Sequence, residues 1–324
     1  MAEIEPAGDG NINWVRRVRA PDGRSAVLKQ ARPALERFPE YRVSTDRLLF
    51  EARYLETAAP FDRSGLLPRV LHFDADARVL VLEDLGDAER LDHALARGAD
   101  VAPALRGLAA FLGRVHAGTR EAGLAARFAN DEMQRLHGDH VFRLPFREND
   151  FPLSPALRER AEAIRRDAGL VARIDAAHAR YLEPRGALVH ADVQSGNVLL
   201  AGRGPVLLDA EIAHVGDPAF DLGILLAHVR IDGVARGAAA AAEALASEVF
   251  DAYAAAHGEG APSRPQADLY AGIELLRRTL GAARVPAVAT DEAGLAVVEA
   301  GVGLVRGARA QATSSPSSSH SMRS

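Results

Sequence analysis

Residues 188–211 read LVHADVQSGNVLLAGRGPVLLDAE. Two short apolar runs, NVLL and PVLL, flank AGRG, which is the pattern of two strands joined by a tight turn. With AGRG as the turn, Leu200 lies opposite Pro205 and Asn197 opposite Leu208. Asn197 and Asp209 then sit side by side at the open end of the hairpin. Glu211 shares the direction of Asp209 if the chain stays extended, because alternate residues of a strand face one way. Asp192 precedes Asn197 by five residues, in the loop HADVQSGN. Three carboxylates and an amide therefore converge from one short segment. Hard oxygen ligands of this kind suit Mg2+, which completes its shell with water and phosphate oxygens.

Each piece has a plainer reading. An Asp-x-Glu is common, an aspartate such as Asp192 often caps a turn, and a lone histidine such as His190 is more often structural than catalytic. The specificity lies in the whole string: H-x-D-x-x-x-x-N, a strand, a turn, a strand, then D-x-E.

Around this segment the chain divides in two. NWVRRVRA and SAVLKQ flank the turn PDGR, a hairpin signal. A helix is expected at about residues 44–58, capped by Ser44, Thr45 or Asp46, with Leu48, Leu49, Ala52 and Leu55 at helical spacing. Two apolar runs joined by DADA follow in LPRVLHFDADARVLVLEDL. Residues 1–85 thus read as a small mixed lobe with an antiparallel sheet and one helix. Beyond it, residues 100–118, 154–182, 239–258 and 265–285 are helix-like, and Ser154-Pro155 is a cap with proline at the first helical position. The expected architecture is α+β and bilobal, with residues 86–310 as a larger, mostly helical lobe. The lobes join near LEDLGDAE, residues 82–89. The Ser-rich residues 311–324 are expected to be a disordered tail.

Composition narrows the function. The chain has 324 residues, 48% hydrophobic and 26% charged, enough for one large domain or two modest ones. A net charge of −5 carries no electrostatic footprint for nucleic acid. Cysteine is absent, which excludes disulfides and thiolate chemistry. The N-terminus has no apolar signal region, and no run of about 18 apolar residues marks a membrane span, so a cytoplasmic location without membrane partners is expected. Of 39 basic residues one is lysine, Lys29, in SAVLKQ.

LVHADVQSGNVLL followed by LLDAEIAHVGDPAFDLG resembles the aminoglycoside phosphotransferase/choline kinase family of protein-kinase-like phosphotransferases. Within that family the similarity is greater to the S-methyl-5-thioribose kinases. AGDGNINWVRRV, AVLKQARP, DRLLFEARYLE, LPRVLHFDADARVLVLEDL, FANDEMQRLHGDHVFRLPF and ELLRRTLGAARV match further blocks in order, from about residue 7 to 285. The resemblance implies an enzyme using ATP and Mg2+ on a sugar-like small molecule, and it suggests a homodimer. It implies that Gly8, Asp9, Gly10 and Asn11 form a loop over the phosphates. Lys29 would contact the α- and β-phosphates and pair with Glu51, and Glu83 to Leu85 would offer backbone groups to adenine. Asp192 would orient or deprotonate the acceptor hydroxyl. Asn197 and Asp209 would hold Mg2+ with Glu211 assisting, and Arg277 and Arg278 would meet substrate or transferred phosphate unless they form only a solvated helix face. Asp221 would brace the catalytic loop.

Departures from the family pattern are local. The loop has Ala191 where the family has glycine, and Asn197 where methylthioribose kinases often have serine. IAHVGDPAFD replaces the segment that lies near the sugar pocket in the family. Three readings follow: a kinase of methylthioribose or a related furanose, acting on the anomeric hydroxyl; an aminoglycoside or amino-alcohol kinase; or an inactive kinase-like nucleotide-binding protein. The Arg277-Arg278 pair argues against a cationic substrate. Intact Lys29, Asp192, Asn197 and Asp209 argue against inactivity.

Overall fold

The computed structural model describes residues 3–7, 12–34, 42–120 and 123–312, with side chains to residue 307. The expected phosphate loop of Gly8, Asp9, Gly10 and Asn11 lies outside the described residues. Five antiparallel strands, β1 (Glu3–Pro6), β2 (Asn13–Arg19), β3 (Ser25–Ala31), β4 (Val70–Asp74) and β5 (Val79–Glu83), form a sheet in the order β1-β2-β3-β5-β4. PDGR makes the β2–β3 turn, where Gly23 takes φ +84°, a conformation that costs glycine nothing. Helix α1 (Arg47–Ala58) buries Leu48, Glu51, Tyr54, Leu55 and Ala58, the stripe that 3.6 residues per turn places on one face. Its start differs from expectation. Asp46 holds the N-cap position without a side-chain cap bond, because its carboxylate takes Arg78 instead (2.6 Å).

The rest of the chain is mostly helical, giving the α+β bilobal arrangement expected. In order come β6 (Glu89–Arg90), α2 (Leu91–Ala96), α3 (Ala102–Thr119), α4 (Asp131–Gly138), α5 (Pro155–Arg166), α6 (Ala168–Tyr181), β7 (Ala187–Val189), β8 (Val198–Ala201), β9 (Gly204–Leu207), β10 (His214–Gly216), α7 (Ala219–Ala235), α8 (Ala239–His257), α9 (Arg264–Leu280) and α10 (Asp291–Ala312). Among the described residues no helix is long and apolar enough to cross a membrane. The helix expected over residues 154–182 is two helices. Ser154 caps the first through Leu157 N–H (3.3 Å), and Asp167 interrupts the run to cap the second through Leu170 N–H (2.9 Å). Helix α10 reaches Ala312, into the expected tail, and the remaining tail lies outside the described residues.

The hairpin keeps the register read from the sequence. Leu200 pairs with Pro205, and Leu208 N–H reaches Asn197 O (2.8 Å). Its turn is shorter than expected, because Ala201 and Gly204 also pair and leave Gly202-Arg203 as the loop. β6 extends the hairpin to three strands, and β7 pairs with β10.

Arg203, at the hairpin tip, fastens the two lobes together. It donates to Gly65 O (2.8 Å), to Leu67 O (3.1 Å) and to both carboxylate oxygens of Glu83 at the end of β5 (2.6 and 3.0 Å). Gly65 suits its place, since its φ is +73° and an added Cβ would be strained there and would crowd Arg203 Cδ at 3.0 Å. Arg69 completes the cluster by donating its N–H and Nε to the Glu83 carboxylate (2.8 and 2.9 Å). Burial alone would raise the Glu83 carboxyl, but Arg203 and Arg69 hold it down at about 2. Its folded-state value is depressed, so the stabilisation is complete above the ordinary carboxylate range and is lost as pH falls from about 4.3 towards 2. Glu83→Gln should cost about 1–2 kcal/mol at pH 7, discounted because Arg69 is exposed. It should also flatten the acid side of the stability curve, measured by urea unfolding at stepped pH.

Candidate active site

Lys29 on β3 and Glu51 on α1 face each other across the sheet–helix interface. Lys29 Nζ donates to Glu51 Oε2 and to Asp209 Oδ1, each at 2.6 Å. Both Lys29 and Glu51 are almost fully buried, while the Asp209 side chain is 46% exposed. Burial alone would lower the pKa of Lys29. Asp209 and Glu51, with Glu211 nearby, more than reverse this, so the ammonium keeps its proton above the ordinary lysine range. Burial, with Asp209 and Glu211 close by, pushes Glu51 up to about 7 despite Lys29. Burial alone would also raise Asp209, but Lys29 outweighs it and holds its carboxyl below the usual range.

The chain does not stay extended past the hairpin. Asp209 has φ +65°, a turn of the backbone that sends Glu211 away from the direction expected for it. Glu211 Oε2 instead accepts Asn13 Nδ2 (2.7 Å) and lies 3.4 Å from Arg47 Nε. Arg47, fully buried, also donates to Ile12 O, Asn13 Oδ1, Arg32 O and Ser44 O. Glu211 thereby ties the residues next to the expected phosphate loop to the catalytic segment.

The catalytic loop is held from beneath. Asp221, at the start of α7, accepts the N–H of His190 (2.7 Å) and Ala191 (2.8 Å), and His116 Nε2 lies 3.1 Å away. Ala191 has φ +68°, a left-handed conformation that costs a residue with a Cβ about 1–2 kcal/mol. Asp221 offsets that strain with two charge-assisted bonds. Next to it, Asp192 Oδ2 accepts Asn197 Nδ2 (2.7 Å) and Gln194 Nε2 (3.0 Å).

Arg277 and Arg278 on α9 are buried, so they are not a solvated helix face. Glu274, with no exposed surface, accepts Arg277 Nη1 (3.0 Å on each oxygen) and Arg278 Nε (2.6 Å). Burial alone would raise Glu274, but Arg277, Arg278 and His228 outweigh it and keep it ionised. Arg278 Nη2 reaches across to Gln194 Oε1 (2.6 Å). The sequence reading missed Glu274, Gln194, Arg47, Asn13 and Arg203. Only Glu274 left a trace, its i+3 and i+4 spacing to the two arginines.

A cavity of about 490 Å³ opens between the lobes, lined by Lys29, Glu51, Leu85, Asn197 and Asp209, with Val27 and Leu199 among its apolar walls. Glu83 lines it too, but its N–H is taken by Arg69 O (3.0 Å) and its side chain by the arginine cluster. Among the described residues no three His, Cys, Asp or Glu side chains gather as a ready metal set. The residues fit Mg2+ in another way. Asn197 spends its amide N–H groups on Asp192, which leaves its carbonyl oxygen as a hard donor beside the half-exposed Asp209. Three carboxylates, Glu51, Asp209 and Glu211, act on the one ammonium of Lys29, so a divalent cation would be favoured.

The model of the phosphotransferase enzyme family matches residues 3–259. This chain belongs to that family. It is an ATP-dependent phosphotransferase of the kind that takes an alcohol hydroxyl as acceptor. Methylthioribose kinase from Yersinia enterocolitica is 29% identical over 338 residues, spanning 90% of this chain and 84% of that protein. The methylthioribose kinase of Yersinia pseudotuberculosis is also 29% identical, spanning 88% and 80%. Among solved structures, a choline kinase from Streptococcus pneumoniae superposes with TM-score 0.53 at 17% identity over 94% of this chain and 93% of that one. An aminoglycoside phosphotransferase from Alicyclobacillus acidocaldarius gives 0.50 at 17%, over 95% and 92%. At these identities the structures speak to the fold alone.

An ammonium is a compact point charge, and a planar guanidinium cannot take its place between Glu51 and Asp209. Lys29→Arg should lower kcat/KM for ATP by about 100-fold although the charge is kept, measured by steady-state kinetics. Near-normal kinetics would mean that the ammonium geometry is dispensable.

Proposed function

We propose that this phosphotransferase moves the γ-phosphate of ATP, with Mg2+, to S-methyl-5-thioribose or a related furanose at the anomeric hydroxyl. The observation that carries the substrate class is the buried Glu274–Arg277–Arg278 cluster beside the catalytic loop. Two guanidinium groups against one carboxylate leave excess positive charge beside the loop, which disfavours polycationic aminoglycosides and amino-alcohols and suits a neutral sugar that is becoming a phosphate ester. The similarity to proteins named methylthioribose kinase supports the same choice.

The residues divide the work. Asp192 takes the proton of the acceptor hydroxyl, whose oxygen bonds to the γ-phosphorus while the bond from that phosphorus to the bridging oxygen breaks and ADP leaves. Lys29 neutralises phosphate charge, and burial against Glu51 keeps it oriented. Asn197 and Asp209 are the oxygen donors for Mg2+. When bound, the ion offsets the charge that spreads over the phosphate oxygens in transfer. Arg277, held beside Arg278 by Glu274, is assigned to the acceptor side of the reaction. Positioning and charge neutralisation supply most of the catalysis in such transfers.

A panel of furanoses, methylthioribose among them, and aminoglycosides assayed for ADP release tests this reading. Turnover on methylthioribose or a close furanose is expected. Turnover on aminoglycosides alone would replace the substrate assignment, and tight ATP binding without any turnover would favour an inactive nucleotide-binding protein. Asp192→Ala should cut kcat by about 10³-fold or more with ATP affinity retained, read by calorimetry beside the kinetics.

A further inference from the structure

The two oxygens of Asp192 have different surroundings. Oδ2 accepts from both Asn197 Nδ2 (2.7 Å) and Gln194 Nε2 (3.0 Å). None of the described hydrogen bonds reaches Oδ1. Asn197 comes from the same loop, and its amide also grips Asp192 O (3.0 Å). Gln194 is anchored from elsewhere in the chain. Its Oε1 accepts Arg278 Nη2 at 2.6 Å, across 84 residues of sequence. Arg278 is held in turn by fully buried Glu274.

This order of donors fixes the amide. A guanidinium has no acceptor, so the glutamine must turn its oxygen to Arg278, and its NH2 then points at Asp192. Arg278 also cannot swing away without leaving Glu274 as a buried, half-compensated charge, a change that costs several kcal/mol. The chain Glu274, Arg278, Gln194, Asp192 thus runs from the interior of α9 to the catalytic loop without an ambiguous link.

We infer that Gln194 is a positioning residue that, anchored by Arg278 and Glu274, turns Asp192 so that Oδ1 is the oxygen that receives the acceptor's proton. The inference rests on Asp192 acting as that proton acceptor. Gln194 needs no contact with the substrate for this role. A side chain can fill it only if it offers one acceptor to Arg278 and one donor to Asp192. A neutral imidazole meets that requirement. Methionine has the length and lacks the donor, and glutamate would set a second carboxylate against Asp192.

Gln194→Met, Gln194→Glu and Gln194→His, with Asp192→Ala as control, would be assayed with ATP and methylthioribose. Loss of kcat by about 10–100-fold in Gln194→Met and Gln194→Glu is expected, with both KM values within about twofold. Gln194→His should recover most of that loss, a pattern that general loosening of the loop would not produce. Crystal structures of the Met and His variants supply a second reading that needs no turnover. The Asp192 carboxylate should rotate or spread over rotamers in the first and stay fixed in the second. If Asp192→Ala is inactive while Gln194→Met has normal kcat and an unmoved Asp192, the inference is overturned. If Asp192→Ala is active, the proton-acceptor assignment falls first. A Gln194→His enzyme as impaired as Gln194→Met would also overturn the donor–acceptor logic.

Discussion

The structure depends on one ammonium kept out of water. Lys29 stays charged in the interior only because Glu51 and Asp209 both touch it at 2.6 Å. A buried cation without partners costs several kcal/mol, so these three groups must arrive together. They come from β3, from α1 and from the segment after β9, the last 180 residues away from Lys29. Satisfying one charge therefore docks the helix on the sheet and the sheet on the catalytic hairpin. Arg47 repeats the device one turn along α1, binding Asn13, Ile12 and Glu211. The Lys29 side of the cleft is assembled by charge pairing over a hydrophobic frame.

The Asp192 side follows the same rule with a different material. Asp221 has no exposed surface and is offset by two backbone N–H groups and His116. Its bonds hold Ala191 in a backbone region that glycine would occupy freely, so the loop conformation belongs to the tertiary structure rather than to the local sequence. Glu274 is likewise compensated from its own helix by Arg277 and Arg278. The one carboxylate of the loop, Asp192, is thus backed by two buried ion clusters, which carry the rigidity of α7 and α9 into its placement.

Much of this was legible in the sequence, and the gaps have physical causes. The β8–β9 register could be read because alternation and a tight turn leave few pairings open. Lys29 could be noticed because it is the lone lysine on a strand, and its pairing with Glu51 followed from the family resemblance. Helix α7 was not read. It is buried nearly all round, and a helix apolar on every face has no periodicity to detect. The direction of Glu211 was misread because nothing local announces the left-handed turn at Asp209. Gln194 and Arg203 are ordinary residues whose partners lie 84 and 120 residues away, a distance that no local pattern encodes.

The Arg203 cluster bears on how the cleft is held. It binds residues 65–67 and Glu83 to the hairpin at one corner of the interface, and Leu207 N–H adds a bond to Leu66 O there (2.7 Å). The opposite rim is pinned as well, where Glu211 meets Asn13 and Arg47 beside Ile12. The lobes are thus clasped by charge at both ends of the slot. Opening it would break ion pairs at one end or the other, a cost that salt and acid both lower.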